Sequence, residues 1–309
     1  MRHRCSEPHC LYPCIHAGHG TRRSEAGNNE DGGCGSGNGG CEVRFHRSLQ
    51  TFQSEEFTLV ASVDLPDGAD EQTPVPAVLF CHGFTGSRME ARRVFAREAQ
   101  LLARHGIACF RFDHRGCGDS DGDFLDFTPL GMLQDLDAAV ATFLRQPWVD
   151  QSRMGILGYS LGGISGSYLL GHHPEFRTGV LWAPVSRPEI IRDRLSNIEG
   201  WSERERLGYL DHYGHRVNTK YIDTVGEVLR PLEWVTKFPG PVLFIHGGGD
   251  EVVRPEQSER FLEVRNNSAD KRIVIEGADH GFIPADNMDR LLKLTEDWFV
   301  RSLVDSQGR

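Results

Sequence analysis

Gly155-Ile-Leu-Gly-Tyr-Ser160-Leu-Gly-Gly163 sets one hydroxyl among glycines directly after a short apolar run. Met154 to Leu157 has the length and flanks of a buried strand and Leu161 to Leu170 those of a helix, so the serine falls on the turn between them. A sharp strand-to-helix turn crowds the backbone at its central residue. Gly158 and Gly162, without Cβ atoms, let the chain fold back closely there. Ser160 is then offered at the rim of a sheet, beside a helix amino end whose partial positive charge favours a developing anion. Gly-x-Ser-x-Gly also occurs in plain turns, so the rest of the chain decides what this serine is for.

Strands and helices alternate around it. Val43 to Leu49 and Phe57 to Val63 read as an antiparallel pair with Pro66-Asp-Gly68 as turn chemistry. Then come strand Val78 to Phe80, helix Arg88 to His105, strand Ile107 to Phe112 and helix Leu130 to Leu144. After the Ser160 unit follow strands Gly179 to Trp182, Val242 to Ile245 and Arg272 to Ile275, with helices Pro255 to Val264 and Asn287 to Val300. Such alternation predicts an α/β fold, a mostly parallel sheet with helices on both faces and its chemistry at the strands' carboxyl ends. One interruption, about 186–237, is too long for an ordinary connection and carries Trp201, Tyr209, Tyr213, Tyr221 and Trp234; it is expected to cap the active face.

The totals bound the function. With 309 residues, 39% of them hydrophobic, the chain can bury a large core. A net charge of −10 with scattered basic residues excludes the footprint of a nucleic-acid binder. No apolar run is long enough for a membrane helix, and the polar start lacks a secretory signal, so the expectation is a cytoplasmic protein. Residues 1–42 hold Cys5, Cys10, Cys14, Cys34 and Cys41 in a Gly-rich setting, without the paired Cys-x2-Cys knuckles of common zinc modules, and are expected to be a flexible tail. The folded domain is expected over 43–303, with 304–309 as a second tail. Asp119-Ser-Asp-Gly-Asp123 suggests a calcium loop, but Leu130 stands where a bidentate Glu is required.

A serine nucleophile needs a base and the base an orienting acid. Val242 to Ile245 runs into His246-Gly-Gly-Gly-Asp250, and Arg272 to Ile275 into Glu276-Gly-Ala-Asp279-His280. Ser160, Asp250 and His280 thus follow the correct strands in nucleophile-acid-base order. The Leu161 amide, and the Phe84 amide in His82-Gly-Phe84-Thr-Gly86, are the expected oxyanion donors. His82 is expected to be structural, Cys117 a small turn residue, and Asp113 to Asp119 a tight turn lining the pocket. No cofactor or metal is expected.

Leu79-Phe-Cys-His-Gly-Phe-Thr-Gly86, Arg115-Gly-Cys-Gly-Asp-Ser-Asp-Gly122 and the Asp250 and His280 placements resemble the α/β-hydrolase superfamily, and within it the bacterial feruloyl (cinnamoyl) esterases and their dienelactone-hydrolase-like relatives. The resemblance implies the α/β-hydrolase fold, Ser160 as nucleophile, His280 as base, Asp250 as acid, and a cap over an aromatic acyl pocket accepting a small-molecule ester. Many of those esterases carry His before and Gln after the serine, where this chain has Tyr159 and Leu161. A serine peptidase, an acyltransferase and a non-catalytic binding protein stay open as alternatives, as does the oligomeric state, a homodimer included.

Overall fold

The structure, a computed structural model, describes residues 44–305. The Cys-rich segment 1–42 lies outside them, as do residues 306–309. In chain order the elements are β1 Phe45–Ser54, β2 Phe57–Pro66, β3 Val75–Cys81, α1 Val94–Arg104, β4 Ala108–Phe112, α2 Pro129–Leu144, β5 Val149–Tyr159, α3 Leu161–His172 and β6 Phe176–Trp182. Then come α4 Glu189–Leu195, α5 Arg204–Leu207, β7 Tyr209–His212, β8 His215–Asn218, α6 Thr219–Val228, α7 Pro231–Thr236, β9 Val242–Gly247, α8 Glu256–Arg265, β10 Lys271–Ile275 and α9 Ala285–Phe299.

Eight strands form one sheet in the order β1-β2-β4-β3-β5-β6-β9-β10, parallel from β4 to β10. The β1–β2 hairpin is antiparallel and joins β4 antiparallel. The parallel strands are apolar runs because both faces are covered. Val78, Phe80, Leu157, Val180, Trp182 and Ile245 pack with Phe95 and Leu102 of α1 and Leu291 and Phe299 of α9. Leu79, Phe110, Ile156, Leu181 and Phe244 pack with Leu136 and Phe143 of α2, Leu169 of α3 and Phe261 of α8. The Trp182 indole N–H donates to Thr295 Oγ1 at 2.9 Å and that of Trp298 to Thr178 Oγ1 at 2.7 Å, so α9 is pinned without an unpaired buried donor. β3 lies between β4 and β5, so the chain reverses direction across the sheet at the β3/β5 boundary. The crevice outside their carboxyl ends is where ligands bind in open α/β sheets, and Ser160 and the Gly83 loop both stand there.

Three expectations are corrected. The β1–β2 turn is Glu55–Glu56, with Glu55 at φ 53°; Pro66-Asp67-Gly68 instead closes the far end of β2, where the Asp67 amide donates to Arg44 O at 2.8 Å. Helix α1 starts at Val94, not Arg88, because Glu90, Arg92 and Arg93 take positive φ. The 186–237 insertion is only partly a cap. Its last helix, α7, packs on α3, with Trp234 against Tyr168, and a Cβ at Gly171 would lie 2.2 Å from the Trp234 carbonyl oxygen. That tight seam needs a glycine and places α7 away from the crevice.

Candidate active site

Ser160 sits on the turn from β5 to α3 with φ 57° and ψ −115°. A Cβ at Gly158 would come within 2.2 Å of the Gly162 carbonyl oxygen, and one at Gly162 within 1.9 Å of the Cys81 carbonyl oxygen. The glycines therefore let β5, α3 and the end of β3 converge, and the strained backbone at Ser160 is held by its amide's bond to Trp182 O at 2.8 Å.

Ser160 Oγ lies 3.0 Å from His280 Nε2, and His280 Nδ1 lies 2.7 Å from Asp250 Oδ2. A carboxylate only accepts, so Nδ1 carries the proton and Nε2 presents its lone pair to the serine hydroxyl. Asp250 is buried, and burial opposes its charge. Bonds from His246 and His280, the His280 charge and the Val253 amide outweigh that and hold its pKa well below the usual carboxylate range. Its other oxygen, Oδ1, accepts the Val252 and Val253 amides at 2.9 and 2.8 Å. Three side chains from separate loops thus form one hydrogen-bonded chain, as their order after the strands predicts.

The loop after β3 faces Ser160. Gly83 O accepts from His82 Nδ1 at 2.8 Å and from the Gly86 amide at 3.1 Å, while His82 Nε2 accepts the His114 amide at 3.1 Å. Both His82 nitrogens are therefore committed, and the residue is structural as expected. The Phe84 and Leu161 amides have no protein acceptor among the described residues. Arg88 braces the same loop through an ion pair with buried Asp113, whose Oδ1 also takes the Arg88 amide at 2.5 Å.

Phe84, Thr85, Ser160, Leu161, Val185, Val253 and His280 line a cavity of about 310 Å³, with Ile190, Ile191, Arg194 and Leu195 from α4 and His212 and Tyr213 from the β7–β8 hairpin. The insertion therefore supplies much of the wall, half of it through the aliphatic Ile190, Ile191 and Leu195. Of its five large aromatics only Tyr213 reaches the pocket; Tyr221 packs beneath Phe84 with ring centroids 5.2 Å apart. The Asp113 to Asp119 turn does not line the pocket; it lies behind the Gly83 loop, where its His114 amide meets His82. Cys117 is buried, which pushes its thiol pKa far up and leaves it unreactive. Asp119, Asp121 and Asp123 are spent on Arg88, the Thr58 amide and the Leu125 amide. Among the described residues no group of three or more His, Cys, Asp or Glu could hold a metal.

Two contacts had no reading in the sequence. The Tyr159 hydroxyl donates to His280 O at 2.6 Å while its ring stacks on the imidazole at 5.4 Å; its place before the serine is the one signal that could have found it. His246 Nε2 donates to Val253 O at 2.7 Å and stands 3.4 Å from Asp250 Oδ2, bracing the acid loop.

With fold and site in hand, comparison with known proteins fixes the class. Residues 78–294 match the model of the alpha/beta hydrolase family, and the chain belongs to that family. It is 34% identical over 276 residues to the "uncharacterized 31.7 kDa protein in traX-finO intergenic region" of Escherichia coli, covering 74% of this chain and 91% of that one. The structure of Est1E from Butyrivibrio proteoclasticus with ferulic acid bound superposes with a TM-score of 0.71 at 25% identity, over 82% of this chain and 98% of that one. Dipeptidyl-peptidase 5 of Porphyromonas gingivalis is 24% identical over 220 residues, which cover 67% of this chain but 29% of that protein. Among the described residues no helix is long and apolar enough to cross a membrane.

Proposed function

We propose that the protein is a serine carboxylesterase working through an acyl-enzyme. The observation that carries this is the unbroken Ser160–His280–Asp250 chain at the mouth of an apolar cavity beside two uncommitted amides. His280 Nε2 takes the Ser160 proton as Oγ attacks the ester carbonyl, and the Phe84 and Leu161 amides stabilise the oxyanion, each worth roughly 3–4 kcal/mol. The imidazolium, steadied by Asp250, gives its proton to the departing alcohol. Water then repeats the sequence on the acyl group, with His280 again the base. Every role is filled by side chains, amides and water.

Substrate class rests on the pocket. A cavity of about 310 Å³ with aliphatic walls and Phe84, His212 and Tyr213 around it suits an aromatic or short acyl group, and the likeness to an Est1E structure holding ferulic acid supports hydroxycinnamoyl esters. Of the two residues that flank the serine, Leu161 lines the cavity, while Tyr159 is turned to His280. Peptidase action is the second reading, favoured by the dipeptidyl-peptidase 5 match, yet this chain spans under a third of that protein. A cytoplasmic setting is supported by the three unpaired, buried thiols Cys81, Cys109 and Cys117 among the described residues.

A panel of short aliphatic nitrophenyl esters, methyl hydroxycinnamates and aminoacyl amides tests the reading. Ester turnover with a burst of alcohol, absent in Ser160→Ala, is expected. Faster cleavage of the amides would replace it with the peptidase, product diverted to added alcohol would make it an acyltransferase, and no turnover would leave a binding protein.

A further inference from the structure

We infer that Glu90 is a positioning residue for the oxyanion loop, taking the Gly83 amide on its carboxylate and thereby aiming the Phe84 N–H at the substrate; this rests on the esterase reading above. Glu90 Oε1 accepts the Gly83 N–H at 2.5 Å. The next peptide is fixed from its other side, because Gly83 O is held by His82 Nδ1 and the Gly86 amide. In a trans peptide the C=O and N–H point in opposite directions. Holding Gly83 O on the protein side therefore turns the Phe84 N–H toward the crevice, and Glu90 secures the hinge at the near end.

The surroundings leave little play. A Cβ at Gly83 would sit 3.4 Å from Ser160 Cβ, so any drift of this loop moves the donor relative to the nucleophile. The same Cβ would be 3.3 Å from Glu90 Oε1, and one at Gly86 would be 2.6 Å from it, so the carboxylate fills the space that two glycines leave open.

Glu90 adopts φ 56° and ψ 166°, a backbone region held almost only by glycine, and Arg92 follows at φ 56° and ψ 21°. Strain at non-glycine residues persists where the structure over-determines them, characteristically beside active sites. Here the strained turn serves both halves of the site. Glu90 reaches the oxyanion loop, while Arg92 Nη2 donates to Gly281 O at 2.9 Å, next to the proposed base. Burial raises the Glu90 carboxyl above the usual range, and the Gly83 and Ala91 amides that it accepts pull against that rise.

The test compares Glu90→Ala, Glu90→Gln and Gly86→Ala with the parent on nitrophenyl acetate. It adds inhibition by an aryl trifluoromethyl ketone, to which Ser160 Oγ adds while its proton passes to His280, leaving an oxyanion for the two amides. Glu90→Ala is expected to lower kcat about 10- to 100-fold, less than full loss of an oxyanion donor, with KM nearly unchanged and ketone affinity reduced by a similar factor. Glu90→Gln keeps an oxygen for the Gly83 N–H and should return to within about fivefold of the parent. Gly86→Ala displaces the carboxylate without altering Glu90 and should follow the alanine variant, which keeps the test open should Glu90→Ala fail to fold. An alanine variant within about threefold of the parent, or a glutamine variant no better than alanine at equal melting temperature, overturns the role. Ester hydrolysis surviving in Ser160→Ala, or absent from the parent, instead overturns the underlying reading, and the Glu90 role with it.

Discussion

Asp250→Asn probes the most deeply buried of Ser160, His280 and Asp250 and has an outcome that can be worked atom by atom. Oδ1 of Asp250 faces two donors, the Val252 and Val253 amides, at 2.9 and 2.8 Å. An asparagine must keep its carbonyl oxygen there, since its amino group would set donor against donor. The amino group is then delivered to the Oδ2 position, 2.7 Å from His280 Nδ1. It donates, so Nδ1 must accept, and the imidazole proton moves to Nε2. That nitrogen now points an N–H at Ser160 Oγ, 3.0 Å away, and cannot take its proton. The expected loss is ~10⁴ in kcat, or about 5.4 kcal/mol of activation free energy. KM should hold, because Asp250 does not line the pocket. Steady-state hydrolysis of nitrophenyl acetate and the rate of fluorophosphonate labelling should fall together. The same variant reports on stability. Asp250 titrates below its ordinary range in the folded protein, so its contribution is complete above about pH 4 and is lost as pH falls toward its own depressed pKa. The parent should therefore lose stability in acid faster than the variant. A fall in kcat of less than about tenfold in a folded Asp250→Asn protein would refute the tautomer argument.

Three further perturbations test the frame around the site. Gly162→Ala places a Cβ 1.9 Å from Cys81 O, a backbone atom that cannot step aside, and should cost about 1–3 kcal/mol in denaturant unfolding while displacing Ser160; an alanine variant as stable and active as the parent contradicts the close approach. Tyr159→Phe keeps the ring stacked on His280 but removes the donor to its carbonyl, a bond worth about 1 kcal/mol, so kcat should drop roughly fivefold with KM steady. Glu98 is buried with neither oxygen hydrogen-bonded among the described residues, and burial, then the nearby Glu296 charge, raises its pKa well above the usual value. The folded state holds that proton more tightly than the unfolded one, so the contribution is full below about pH 4.3 and falls as pH rises toward the folded pKa; unfolding curves should show Glu98→Gln losing this slope, and parallel pH dependences would contradict it.

How much of this was legible in the sequence follows from the physics of each part. The parallel strands were, because burial on both faces turns them into unbroken apolar runs such as Val242 to Ile245. The meeting of Ser160, Asp250 and His280 was, because each follows one of those strands. The second half of β1 was not: its outward side chains are polar and exposed, with only Phe52 and Ser54 buried. Arg88 to Arg93 has helix-forming residues, and what stops the helix is the tertiary demand of Glu90 on Gly83 and Arg92 on Gly281, which no local propensity encodes. The hairpin of the insertion turns at Tyr213 and Gly214, both at positive φ; only the glycine announces such a turn, and the tyrosine hid it. Glu90 and His246 act through partners several residues or a whole loop away, so nothing in their immediate neighbours marks them.

Mapping the fluorophosphonate adduct by peptide mass spectrometry asks which side chain of the protein is the nucleophile. A single phosphonylated residue, Ser160, is expected, with labelling abolished in Ser160→Ala and slowed in step with hydrolysis in His280→Ala. An adduct on any other side chain, or undiminished labelling of Ser160→Ala, would contradict Ser160 as that nucleophile.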